Sequence, residues 1–139
     1  FKKRPYAFAG DVGSISLAFV LFFIISKLII ITNNYYYFLM FCIFGIDTGI
    51  TLIERLKNNE RIFSPHRKHL YQQLVNEFKI SHTIVSFFYA FFQFLINLFI
   101  IFVIIPSNFK FILSLILIIV LVIGYCILKF KVFYMVHSK

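Results

Sequence analysis

Two short stretches of this 139-residue chain carry side chains that could handle phosphate groups. The stretch His66-Arg67-Lys68-His69 is entirely basic. Arginine offers a planar fork of donors, and histidine can donate, accept or transfer a proton. The stretch Gly10-Asp11-Val12-Gly13-Ser14 places an acid between two glycines. Glycine allows close backbone approach and Asp is a hard oxygen ligand suited to Mg²⁺, so together the two stretches predict a phosphate-handling site.

Each stretch also has an ordinary structural interpretation. Ser14 or Asp11 could cap the first helix, with the glycines forming the turn before it. The basic stretch could simply mark the cytoplasmic side of a membrane protein. That rule does not require two histidines among the bases, however, and His66 and His69 therefore favour a binding site.

Asp47 is a third candidate, because it is the one charged residue in an apolar run that extends from residue 35 to residue 53. In a helix it would lie about 9 Å from the inner end of that run. Acids inside a membrane are costly and are usually functional or paired. We therefore predict either a functional role for Asp47 or a structural pair with Arg55 or another polar neighbour.

The elements that must position these residues are apolar. The chain is 61% hydrophobic and its net charge is +9, whereas a soluble domain is about half apolar. Four runs each approach the roughly 20 residues that a membrane-crossing helix needs: residues 15–31, 35–53, 84–105 and 111–128. We predict an all-α membrane protein with four transmembrane helices, forming a single unit over residues 1–139, with no nucleic-acid partner.

The distribution of basic residues predicts the orientation of these helices. Of the fourteen Lys and Arg residues, twelve precede the first run, separate the second from the third, or follow the fourth. The positive-inside rule places both chain ends and the loop of residues 54–79 in the cytoplasm. We therefore expect a multi-pass protein of the cell inner (plasma) membrane.

The cytoplasmic loop is predicted to contain a short amphipathic helix. Ser64 is a favourable N-cap and Pro65 a favourable first residue, which would place His66 and Arg67 in the first turn. The apolar face of this helix would comprise Leu70, Leu74, Val75 and Phe78. In the third membrane helix, a stripe of small and polar residues predicts helix packing; it consists of Ser86, Ala90, Gln93 and Asn97. His82 is interpreted as an interfacial residue.

These residues resemble the motifs of a known family. The glycine-rich stretch is similar to the Gly-Asp-x-Gly-Ser motif of the polyprenyl-phosphate N-acetylhexosamine-1-phosphate transferases. These enzymes form glycosyltransferase family 4, which includes relatives of the muramoyl-pentapeptide translocase. The next block of that family resembles this chain in order and spacing at Asp47, Arg55-Leu56, Ile62-Phe63 and residues 66–72. The resemblance extends from about Tyr6 to the last helix.

The resemblance implies a reaction and roles for the site residues. Such enzymes transfer N-acetylhexosamine-1-phosphate from a UDP-N-acetylhexosamine to polyprenyl phosphate and release UMP, as the first membrane step of a cell-envelope glycan. It implies that Asp11 binds Mg²⁺, or Mn²⁺, and that Asp11 and Asp47 are catalytic. It also implies that the substrate is bound by Gly10, Gly13, Ser14, His66, Arg67 and His69.

The chain departs from the family at one motif. The family carries an adjacent pair of aspartates, but the five acids of this chain are all isolated. We therefore expect this chain to be the C-terminal part of a larger enzyme, partnered by an N-terminal half that it lacks, and inactive alone. The alternatives are a non-catalytic membrane scaffold subunit and a small transporter that uses Asp47 as an ion site.

Overall fold

The fold is built from helices throughout the part of the chain that the structure describes. The structure is a computed structural model and describes residues 10–61 and 68–137. The α-helices are α1 (Gly10–Thr32), α2 (Cys42–Lys57), α3 (Leu70–Asn76), α4 (His82–Phe99) and α5 (Lys110–His137). A 3₁₀ segment, Tyr35–Phe41, leads into α2, and a π-helical segment, Ile100–Ile104, continues α4. The prediction of an all-α protein is confirmed.

Four of the helical stretches are long and apolar enough to cross a membrane. They are Val12–Thr32, Tyr35–Lys57, His82–Ile104 and Lys110–Met135. The mean hydropathy of the second stretch is 1.7 and that of the others is 2.4 or more. The second is lower because it carries the polar side chains described below. The chain is therefore a multi-pass membrane protein, as predicted.

Exposed and buried side chains are distributed as a lipid environment requires. Large apolar side chains are exposed on the membrane helices, such as Phe102 on the π-helical segment and Phe130 on α5. Lipid tails are as apolar as these side chains, so their exposure carries little cost in a bilayer. The buried polar or charged residues in the part of the chain that the structure describes are Asp47, Thr51, Arg55, Gln93, Ser114 and Lys129.

Two helix ends differ from the sequence prediction. Helix α1 begins at Gly10, so the stretch from Gly10 to Ser14 forms its first turns, and the interpretation of these glycines as a preceding turn is wrong. Helix α5 continues to His137, well beyond the predicted end at residue 128. The apolar run ends at residue 128, but the helix continues because the next residue, Lys129, has polar partners on α2.

The short loop helix is present but begins later than predicted. Lys68 and His69 are not helical, and α3 starts at Leu70 with His69 in the N-cap position. The prediction that Ser64 caps this helix is therefore wrong, and Ser64 and Pro65 themselves lie outside the described residues. On the predicted apolar face, Leu70 is buried, and Leu74 and Val75 are half-buried.

The chain divides into two compact units after Phe38. The first unit contains α1 and the turn that follows it. The second unit, Leu39–Lys139, contains the other helices. Within it α2 packs against α4 and α5, and α3 packs against α4 and α5 as well. The Ile43 N–H of α2 donates a hydrogen bond to Gln93 Oε1 of α4, at 3.3 Å. The packing role predicted for Gln93 is therefore confirmed.

Candidate functional site

Asp47 is the centre of the candidate site, and three donors surround its carboxylate. The Tyr125 hydroxyl donates to Asp47 Oδ1 at 2.5 Å. The backbone N–H of Leu70 donates to the same oxygen at 3.3 Å. His69 Nδ1 lies 3.4 Å from Asp47 Oδ2. Asp47 is 5% exposed, so these groups replace the water that a carboxylate needs.

These contacts explain how the loop is held against the membrane helices. The first N–H groups of a helix have no partner within it. The side chain in the N-cap position of α3, His69, forms no capping hydrogen bond. Asp47 supplies the missing acceptor from α2, and its negative charge suits the positive end of a helix. The carboxylate therefore ties α2, α3 and α5 together at one point.

A cavity of about 540 Å³ opens beside Asp47. Its polar lining includes Asp47, Thr48, His69, His82 and Ser86. Its aromatic lining comprises Phe44, Tyr71 and Tyr89, and the Tyr71 and Tyr89 rings meet edge to face with their centroids 6.4 Å apart. His82, interpreted from the sequence as an interfacial residue, lines this cavity together with His69. A carboxylate, two imidazoles and aromatic walls could bind a polar ligand and move a proton.

A second buried polar cluster continues from Asp47 along α2 and α5. Lys129 Nζ lies 3.2 Å from Thr51 Oγ1 and 2.7 Å from Glu54 Oε2. The Lys129 ammonium also lies 5.6 Å from the centre of the Tyr125 ring. A buried ammonium is tolerated when it is paired and hydrogen-bonded. This cluster fixes how α2 and α5 face each other, and so it positions Tyr125 on Asp47.

The end of α2 is tied to the loop by ionic contacts. Arg55 is 2% exposed and its Nε lies 3.7 Å from Glu60 Oε2. The same guanidinium donates to the carbonyl oxygen of Arg61. Lys68 donates to Glu60 Oε1, and this bond holds the pKa of the Glu60 carboxyl below its usual value. Arg55 therefore pairs with Glu60 in the loop, and the pair with Asp47 that the sequence allowed is not observed.

The structure brings together two of the predicted site residues, Asp47 and His69, which the sequence separates by a helix end and a loop. Gly10, Asp11, Gly13 and Ser14 lie in α1, in the other unit of the chain. The remaining predicted residues, His66 and Arg67, lie outside the described residues.

Sequence reasoning missed Tyr125, Thr51 and Lys129. A signal was present, because Asp47, Thr51 and Arg55 recur at four-residue spacing, as do Tyr125 and Lys129. Residues at this spacing share one helix face. Two polar faces in otherwise apolar helices predict that those helices pack against each other through them.

The Asp47 cluster does not fit a metal ion. Across residues 10–61 and 68–137, no group of three or more His, Cys, Asp or Glu side chains could hold one. Both oxygens of Asp47 already face donors, whereas Mg²⁺ requires oxygen ligands that are free to coordinate it.

Comparisons of this chain with protein-family models, with curated proteins and with solved structures found no match.

Proposed function

We propose that this chain is the C-terminal, membrane-embedded part of a polyprenyl-phosphate N-acetylhexosamine-1-phosphate transferase. The reaction would transfer the sugar-1-phosphate of a UDP-N-acetylhexosamine to polyprenyl phosphate at the cytoplasmic face of the plasma membrane, releasing UMP. Both chain ends and the loop would face the cytoplasm. The observation that carries the proposal is the contact of Asp47 with His69 beside a cavity, since both residues match the family's motifs in order and spacing.

The described residues suit parts of this chemistry. A carboxylate that touches an imidazole fixes which ring nitrogen carries the proton. With Nδ1 directed at Asp47, His69 would present its other ring nitrogen, Nε2, as a hydrogen-bond acceptor for a hydroxyl group of the substrate.

The remaining roles in the proposal come from the resemblance. Asp11 would hold Mg²⁺, or Mn²⁺, with Gly10, Gly13 and Ser14 near the substrate. A bound divalent ion supplies charge neutralisation on a diphosphate. His66 and Arg67 would bind the pyrophosphate oxygens directly, Arg67 through its planar donor fork.

The test is an enzymatic assay on membranes. The chain would be expressed both alone and together with the coding sequence upstream of Phe1, in vesicles that contain polyprenyl phosphate. UMP release from UDP-N-acetylglucosamine and UDP-N-acetylgalactosamine would then be measured with and without Mg²⁺. We expect release from the extended protein and none from residues 1–139 alone.

Variants sharpen this test. Asp47→Asn and Asp11→Asn are each expected to lower UMP release by at least about tenfold, the scale of a lost hydrogen bond to a charged group. Lys27→Gln is the control, because Lys27 is exposed on α1 near the predicted outer end. Release that is unchanged in Asp47→Asn would contradict the proposal. Proton-coupled uptake of a solute that is lost in Asp47→Asn would instead favour the transporter alternative.

A further inference from the structure

A second cavity of about 540 Å³ lies between α2, α3 and α5. It shares no lining residue with the cavity beside Asp47. Its α5 wall carries Cys126, Phe130 and Phe133 beside Lys129. Its opposite rim is polar and includes Lys57, Gln73 and Glu77. The cavity therefore offers a charged end and a hydrocarbon end.

The cavity lies at the level where the membrane meets water. Lys57 is the last residue of one apolar span, and Phe133 lies near the end of another, Lys110–Met135. Helix α3, which carries Gln73, belongs to the loop between spans. An amphiphile could thus place its headgroup against the rim and an acyl chain along α5, as lipids do at this depth.

Two opposite charges lie on the polar rim. Among residues 10–61 and 68–137, neither Lys57 nor Glu77 forms an ion pair. The other charged side chains of this cavity are already paired, Lys129 with Glu54 and Lys68 with Glu60. The rim therefore offers one ammonium and one carboxylate. They are complementary to a headgroup that carries a negative group and an N–H-bearing cation.

We propose that this cavity binds an ethanolamine phospholipid, whose headgroup carries a phosphate and a primary ammonium. The lipid ammonium would donate to the Glu77 carboxylate, and the phosphate would accept from Lys57. One acyl chain would lie along Phe130 and Phe133. This proposal goes beyond the transferase function and is tested by binding, so the two can fail independently.

Two other headgroups test separately whether the N–H donor and the positive charge of the lipid are needed for binding. A choline headgroup has the same charges but no N–H donor, so it cannot donate a hydrogen bond to the Glu77 carboxylate. A glycerol headgroup can donate through hydroxyls but has no positive charge to pair with Glu77. The ethanolamine lipid should therefore bind more tightly than either one.

The experiment is a competition measured by native mass spectrometry. Purified, delipidated chain in a non-ionic detergent would be mixed with equal amounts of dioctanoyl phosphatidylethanolamine, phosphatidylcholine and phosphatidylglycerol. We expect about tenfold more ethanolamine lipid bound than either competitor, the scale of one hydrogen bond to a charged group. Choline or glycerol lipid bound equally well or better would overturn the proposal, as would the absence of any bound lipid.

Variants locate the lipid in this cavity. Glu77→Gln should abolish the preference for ethanolamine over choline, and Lys57→Gln should weaken binding of all three lipids. Both residues are exposed, so neither change endangers folding. Lys131→Gln is the matched control, because Lys131 is an exposed residue of α5 outside the cavity lining. An ethanolamine preference that persists in Glu77→Gln would place the lipid elsewhere and contradict the proposal.

Discussion

At the scale of single residues, the main feature is a carboxylate that is buried in a membrane helix and held by donors from two other helices. Asp47 accepts hydrogen bonds from Tyr125 and from the backbone of Leu70 and lies against His69. In a low-dielectric interior such bonds are stronger than in water, and losing one is correspondingly costly. Asp47 therefore serves the fold as well as any chemistry.

Changing Tyr125 to Phe tests the stabilising part of this role. The variant keeps the ring but removes the hydroxyl that donates to Asp47, which leaves a buried acceptor with one donor fewer. We expect the free energy of unfolding in detergent micelles to fall by about 1 to 3 kcal/mol. Tyr134→Phe is the control on the same helix, because Tyr134 is exposed. An equal effect in the two variants would contradict the proposed importance of the bond.

At the scale of elements, Asp47 substitutes for a cap that α3 cannot provide for itself. This helix has seven residues, and isolated helices of this length are unstable in water. Its order therefore depends on its contacts with α2, α4 and α5. The bond between the Leu70 N–H and Asp47 Oδ1 is the point at which α3 starts.

Two substitutions of Asp47 distinguish its role as a hydrogen-bond acceptor for α3 from the role of its charge. Asp47→Asn retains a side-chain oxygen that can accept the Leu70 N–H, whereas Asp47→Ala removes it. We expect amide hydrogen exchange in Leu70–Asn76 to be faster by about tenfold or more in Asp47→Ala, a loss of about 1 to 2 kcal/mol at the cap. Asp47→Asn should change it much less. Equal exchange in wild type and Asp47→Ala would show that α3 is held by other contacts.

At the scale of the whole molecule, four apolar spans could cross a membrane in two opposite orientations, and we predict one of them from the distribution of charge. Basic residues flank the predicted cytoplasmic side, where Lys57 ends α2 and where Arg61 and Lys68 lie between α2 and α4. The opposite turn between α4 and α5 has the sequence Pro106-Ser107-Asn108-Phe109. The positive-inside rule places this turn outside the cytoplasm.

Single cysteines test this orientation. After Cys42 and Cys126 are replaced, cysteine would be placed at Asn58 or at Asn108, both of which are exposed. Asn58 is preferred to Asn59, because Asn59 has φ 53°, a conformation that most side chains disfavour. In intact cells, a membrane-impermeant thiol reagent should label position 108 and spare position 58. Labelling of position 58 would reverse the orientation.

The amino-acid sequence by itself determined the membrane class and the approximate spans. Hydropathy is a local property, and a helix in lipid satisfies its own backbone wherever an apolar run is long enough. Local sequence also identified Asp47 as a candidate, because it is the one charged residue in its apolar run. Helix ends were not determined in this way: α1 starts at Gly10, and α5 continues past Lys129, which has polar partners on α2.

Only the tertiary structure decided which residues Asp47 meets. Tyr125 lies 78 positions away, and its contact depends on how α2 and α5 are rotated and shifted against each other. The Thr51–Lys129 bond, which spans the same separation, fixes that register. The start of α3 was decided in the same way, by an acceptor on α2 rather than by the Ser64-Pro65 signal in its own sequence. Local patterns specify which segments are helical, whereas partners between helices follow from packing geometry that a local pattern does not contain.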